Sequence, residues 1–145
     1  MTTARHLEVI DLLRVRDFPA ERGRSGAITS GPGYHLVELS TSEDLWDDDG
    51  SRRVEVEEQY GAECDALAQL LSERWGEAQM VSLWSVMTRS MEGEEIAEPW
   101  SGLSQSVRYL HLWQPDGRWV AVGVSQWGTE LEFQLMAVVT EVDPP

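Results

Sequence analysis

The sequence predicts an α+β fold: a two-layer domain in which an antiparallel sheet of about five strands carries two helices on one face. Three observations lead there. Residues 56–75 repeat apolar side chains at helical period, and the second half of the chain alternates apolar and polar residues in short runs bounded by Gly and Pro. The length of 145 residues, 41% of them hydrophobic, fits one domain over 1–145, since single cores close at roughly 100–200 residues. A sheet flanked by helices on both sides is the alternative.

The first element is a helix over Ala4–Arg16, with Leu7, Ile10 and Leu13 at helical spacing and Thr2 or Thr3 as cap. It stops before Pro19, whose ring disfavours helical backbone at Phe18. Residues 21–33 (ERGRSGAITSGPG) read as a loop, and Tyr34–Leu39 as a strand. The acidic stretch 41–51 (TSEDLWDDDGS) then offers Asp48, Asp49 or Ser51 as caps for a second helix. That helix carries Val56, Tyr60, Cys64, Leu67, Leu71 and Trp75, and Gly76 stands where a stop belongs. Strands follow at Gln79–Arg89, Val107–Gln114, Arg118–Gln126 and Leu131–Val139. Between the first two of these, Met91–Gln105 carries Glu92, Glu94, Glu95 and Glu98 and reads as an exposed linker.

Two turns set the expected register. Gln114-Pro115-Asp116-Gly117 fits a type I turn followed by one left-handed residue, which sets Trp113 opposite Trp119, His111 opposite Ala121 and Tyr109 opposite Gly123. Trp127-Gly128-Thr129-Glu130 suits a type II′ turn, which sets Val124 opposite Phe133 and Val122 opposite Leu135. The expected core face then holds Leu110, Leu112, Val120, Val122, Val124, Phe133 and Leu135. The other face gathers Tyr109, His111, Trp113, Trp119, Ser125, Trp127, Glu130, Glu132 and Gln134, with Trp84 from the preceding strand. Wide aromatic rings with polar tips suit recognition, so Trp84, Tyr109, His111, Trp113, Trp119, Trp127, Glu130, Glu132 and Gln134 are the expected binding residues. The same rings, covered by the N-terminal helix or the 21–33 loop, would make a second small core, or a homodimer seam if covered by a second copy.

Charge narrows the partners. All eleven basic residues are Arg, against 26 acidic ones, giving −15, which opposes binding to phosphate backbones or anionic lipid. Residues 1–33 carry +1 and residues 34–145 carry −16. Neither nucleic acid nor membrane is expected as partner. One cysteine, Cys64, excludes an internal disulfide, and no apolar run reaches the roughly 18 residues of a bilayer span. A cytoplasmic location is expected, the N-terminus lacking the apolar stretch of a secretion signal.

Catalytic signatures are sparse. His6, His35 and His111 are scattered, so neither a metal nor another cofactor is expected. Asp47, Asp49 and Gly50 resemble a calcium loop, but Leu45 and Val56 occupy its first and twelfth positions. The Gly/Arg loop 21–33 lacks a phosphate-binding motif. His111 with Ser125 and Glu130 or Glu132 would be the one hydrolase constellation.

The run Trp113 to Gly117-Arg118-Trp119-Val120-Ala121-Val122-Gly123-Val124-Ser125-Gln126-Trp127, continuing to Glu130-Leu131-Glu132-Phe133-Gln134-Leu135, resembles small acidic hypothetical proteins of actinobacteria. The resemblance covers the sheet and the long helix, and implies no activity. The expected function is a non-enzymatic protein-interaction domain of inhibitor, immunity or regulatory type, docking a basic partner through its aromatic face and acidic surface. A small-molecule binder with a Trp-lined pocket and a small hydrolase using His111 are the alternatives.

Overall fold

The computed structural model describes residues 3–43, 45, 50–126 and 132–145. Helix α1 (Thr3–Val15) opens the chain, burying His6, Ile10 and Leu13. Strands β1 (Gly23–Ser25), β2 (Ile28–Gly31) and β3 (Tyr34–Thr41) follow. Helix α2 (Ser51–Trp75) buries Tyr60, Cys64, Leu67, Ala68 and Leu71, the stripe its apolar period predicts. Then come β4 (Gln79–Ser82), α3 (Trp84–Met91), α4 (Trp100–Ser104), β5 (Tyr109–Trp113), β6 (Trp119–Ser125) and β7 (Gln134–Thr140).

The seven strands form one antiparallel sheet in the order β1-β2-β3-β7-β6-β5-β4. The class is α+β, but with more strands and helices than expected, and the sheet is covered on both faces. On one face α1 and α2 lie over Val37, Leu39, Val120, Val122, Leu135, Ala137 and Val139. On the other, Leu83, Val86, Trp100 and Leu103 from the β4–β5 connection cover Leu110, Leu112, Ala121 and Val138.

Three segments depart from expectation. The expected loop 21–33 contains the β1–β2 pair, whose backbone groups bond to each other and to β3. The expected strand Gln79–Arg89 turns into α3 after Ser82, because Leu83 and Val86, one turn apart, both reach the second core. Met91–Gln105 is no exposed linker: it contains α4, and Trp100 is 1% exposed, its Nε1–H donating to the Val142 carbonyl at 3.0 Å.

The hairpin register is the main correction. β5 and β6 pair His111 with Val122, Leu112 with Ala121 and Trp113 with Val120, one position from the expected alignment. The reason is local: Asp116 (φ 52°) and Gly117 (φ 83°) are both left-handed, so the connection holds one more residue than a turn with a single left-handed position. A one-residue shift exchanges faces. Tyr109, His111 and Trp113 therefore share the helix-covered side with the valines, while Trp119, Ser125 and Gln134 lie on the other with Leu110 and Leu112. β6 and β7 pair Val124 with Leu135 and Val122 with Ala137, two positions from the expected alignment, and a shift of two preserves faces. The expected Trp127–Glu130 turn lies outside the described residues.

Candidate functional site

The expected binding residues do not form one surface. Trp113 is 4% exposed, its ring edge-on to Trp75 at 6.0 Å between centroids and its Nε1–H donating to the Gly76 carbonyl at 3.0 Å. Trp119 is half-buried on the opposite face and donates to Asp143 Oδ1 at 3.0 Å. Gln134, half-buried, accepts a hydrogen bond from the buried Ser125 hydroxyl at 3.1 Å. By register Ser125 and His111 belong to opposite faces of the sheet; both border the cleft between α2 and the sheet, but the Ser125 hydroxyl is bonded to Gln134 and not to His111, and Glu130 lies outside the described residues. So does Trp127, and Glu132 is half-buried beside Phe133 in sequence. Trp84 and Tyr109 are the two that stand clear, at 69% and 62% exposed.

What the fold builds instead is a cleft of about 370 Å³ between α2 and the sheet. From α2 it is lined by Arg53, Glu57, Gly61, Cys64 and Asp65, positions that recur every three to four residues and so form one stripe beside the apolar one. From the sheet side come Met80, Arg108, Tyr109, His111, Val124 and Phe133, with Ser106, Gly123, Ser125 and Gln126 completing the wall. His111 closes one end: its ring lies parallel to Trp113, 6.3 Å between centroids, and its Nε2 stands 3.8 Å from Asp65 Oδ1. Arg53 lies three turns before Asp65 in α2, and Arg108 immediately precedes β5; both border the cleft. The Arg108 carbonyl accepts the Leu83 N–H at 2.9 Å, while its guanidinium forms no ion pair with the described residues.

The cleft is of mixed polarity, and its cysteine is not poised for nucleophilic chemistry. Burial pushes the Cys64 thiol up to about 12, with the Asp65 carboxylate adding to the rise, and a protonated thiol is a poor nucleophile and metal ligand. Among the described residues no three His, Cys, Asp or Glu side chains converge as metal ligands. Of the expected residues, Tyr109 and His111 line the cleft, as does Ser125 from the expected hydrolase set; Arg53, Glu57, Gly61, Asp65 and Arg108 were not anticipated. The first four had a signal in α2, a polar stripe with a glycine in mid-helix.

Trp113 and Trp119 reappear at a second place. Where the β5–β6 connection meets the end of α2, a hollow of about 460 Å³ is lined by Trp75, Glu77, Trp113, Asp116 and Trp119, among others. Beside it the Arg14 guanidinium lies 4.8 Å from the centre of the Trp75 ring and bonds Asp116 at 2.7 Å.

No helix among the described residues is long and apolar enough to cross a membrane. No family model, curated protein or solved structure matches this chain.

Proposed function

We propose that this chain is a small-ligand-binding domain whose site is the cleft between α2 and β5. One observation carries the reading. Gly61 lies in the interior of a 25-residue helix, where glycine costs about 0.5–1 kcal/mol relative to alanine, yet a Cβ built there meets nothing within 4 Å. No neighbour among the described residues requires that space. A ligand lying along α2 does, and a cleft of about 370 Å³ falls in the roughly 300–1,000 Å³ range of small-molecule sites. Tyr109 and Val124 supply apolar wall, while Arg108 and the His111–Asp65 pair supply polar contacts. The test is a fragment screen read by backbone amide shifts. Ligands should move the Gly61, His111 and Gly123 amides together, and Gly61→Leu should abolish binding while the protein stays folded. Fragments that shift none of these amides, or that bind Gly61→Leu equally well, would defeat the reading.

A second reading, docking of a basic protein partner, is favoured by a different observation. Met80, Trp84 and Tyr109 are 59%, 69% and 62% exposed, and β4–β5 pairing sets Ser82 opposite Tyr109, bringing the three to one edge of the sheet. The −15 charge makes such docking salt-sensitive. Trp84→Ala should cost about 2 kcal/mol or more in partner affinity if the ring is a hot spot; affinity insensitive to both salt and Trp84→Ala excludes this edge.

A further inference from the structure

We propose that the hollow at the β5–β6 connection is a second binding site, for a small organic cation bearing an alkylated ammonium group. The inference is independent of the α2–β5 cleft. Three indoles border the hollow, Trp75, Trp113 and Trp119, with Glu77 and Asp116 beside them. Aromatic faces attract cations through the ring quadrupole, Trp most strongly, and an ammonium carrying methyl groups also buries apolar area against them. Indole rings and carboxylates both favour positive charge, Trp75 and Trp119 being half-buried and Trp113 the buried member of the three, and the −15 net charge of the chain raises the local concentration of cations.

Two further observations support the assignment. Two of the rings are held in place before any ligand arrives: Trp113 Nε1–H is bonded to the Gly76 carbonyl and Trp119 Nε1–H to Asp143, each at 3.0 Å, so little ordering is left to be done on binding. The same corner already holds a cation of the chain's own. Arg14 lies over Trp75 and bonds Asp116, so an indole and a carboxylate from the hollow act together on positive charge within the fold.

The carboxylates also predict selectivity. Choline, a trimethylammonium with a neutral hydroxyl, suits the hollow; glycine betaine, with its own carboxylate, is repelled chiefly by Glu77, since Asp116 is already paired with Arg14.

The probe is choline, titrated at constant ionic strength and followed by the indole Nε1–H resonances in an NMR spectrum. Choline should shift the Trp75 and Trp119 signals saturably. Its neutral isostere 3,3-dimethylbutan-1-ol should bind about tenfold more weakly, which is the loss of one cation–π contact of moderate strength. Glycine betaine should also be weaker than choline. Glu77→Gln combined with Asp116→Asn, which retains all three rings and a side chain tolerant of left-handed backbone at 116, should weaken choline and leave the neutral alcohol unchanged. Equal binding of choline and the alcohol would overturn the proposal, leaving only an apolar hollow. So would a choline response no larger than that of sodium chloride, or shifts confined to Trp84.

Discussion

Two glycines border the cleft for opposite reasons. At Gly123 a Cβ would stand 2.8 Å from the Tyr109 carbonyl oxygen, 2.9 Å from Leu110 Cδ2 and 3.0 Å from Val107 Cγ1, so the close approach of β5 and β6 demands glycine. At Gly61 a Cβ meets open space. Gly61→Ala should therefore stabilise the fold by about 0.5–1 kcal/mol, whereas Gly123→Ala should destabilise it by about 1–3 kcal/mol through overpacking. Urea denaturation of the two variants checks both signs, and a destabilised Gly61→Ala would show that the position has a structural role. Asp116 is the third residue where backbone decides. Its positive φ is tolerated by Asp and Gly but not by Ala, so Asp116→Ala should cost about 1 kcal/mol and Asp116→Gly less. The exposed Arg14–Asp116 pair contributes little to that difference. At this scale the sequence was partly legible. The Pro-Asp-Gly turn announced itself, but Asp tolerates both right- and left-handed backbone, and that choice moved every ring in β5 to the other face.

Among the elements, α1 is held mainly at its carboxyl end. Arg118 donates to the Leu13 and Arg16 carbonyls at 3.3 and 2.8 Å, satisfying groups a helix end leaves open. It also lies 4.2 Å from the Phe18 ring centre, and Phe18 in turn contacts His35 at 4.8 Å between ring centroids. His35 completes the join: its Nδ1 stands 2.6 Å from the Ser30 hydroxyl and its Nε2 3.3 Å from the Arg16 carbonyl, so Nε2 carries the proton and Nδ1 accepts. Arg118→Ala should loosen α1 selectively. Hydrogen exchange should accelerate through α1 well before α2, with a loss of about 1–2 kcal/mol for the charged helix-terminus contacts; uniform acceleration would mean that Arg118 supports the whole fold instead. The α2 stripe was legible because its apolar period runs unbroken from Val56 to Trp75. α3 and α4 were not: at eight and five residues they are too short for a helical period to separate from strand alternation, and Leu83 and Val86 declare a helix only once Leu110 and Ala121 are opposite them.

For the whole molecule, buried ionisable groups bound the pH range of stability. His6 is 3% exposed, and burial lowers its pKa below 6.5, with Glu63 opposing the shift; burial also lowers that of His35, with the Arg16 backbone contact opposing. Below pH 6.5 the unfolded chain binds protons that the folded imidazoles refuse, so stability falls as pH drops from 6.5 to the folded values. Cys64 sets the other limit. Its thiol stays protonated to about 12 in the fold, against 9.0 in the free group, so stability falls as pH rises above 9.0. Thermal denaturation across pH should show both limbs, with the alkaline one reduced in Cys64→Ala and the acid one reduced in His6→Leu; limbs unchanged in these variants would assign them to other groups. The sequence by itself determined the helix α2, the strands β5, β6 and β7, the acidic balance and the face shared by the β6 and β7 valines, because each follows from local period or composition. Only the tertiary structure decided where the indoles go. With one wet face, burial would have selected a single register for β5 on β6; with α1–α2 on one side and α3–α4 on the other, both faces are buried. Hydrophobicity then no longer discriminates between registers, and the choice falls to one left-handed residue in a turn.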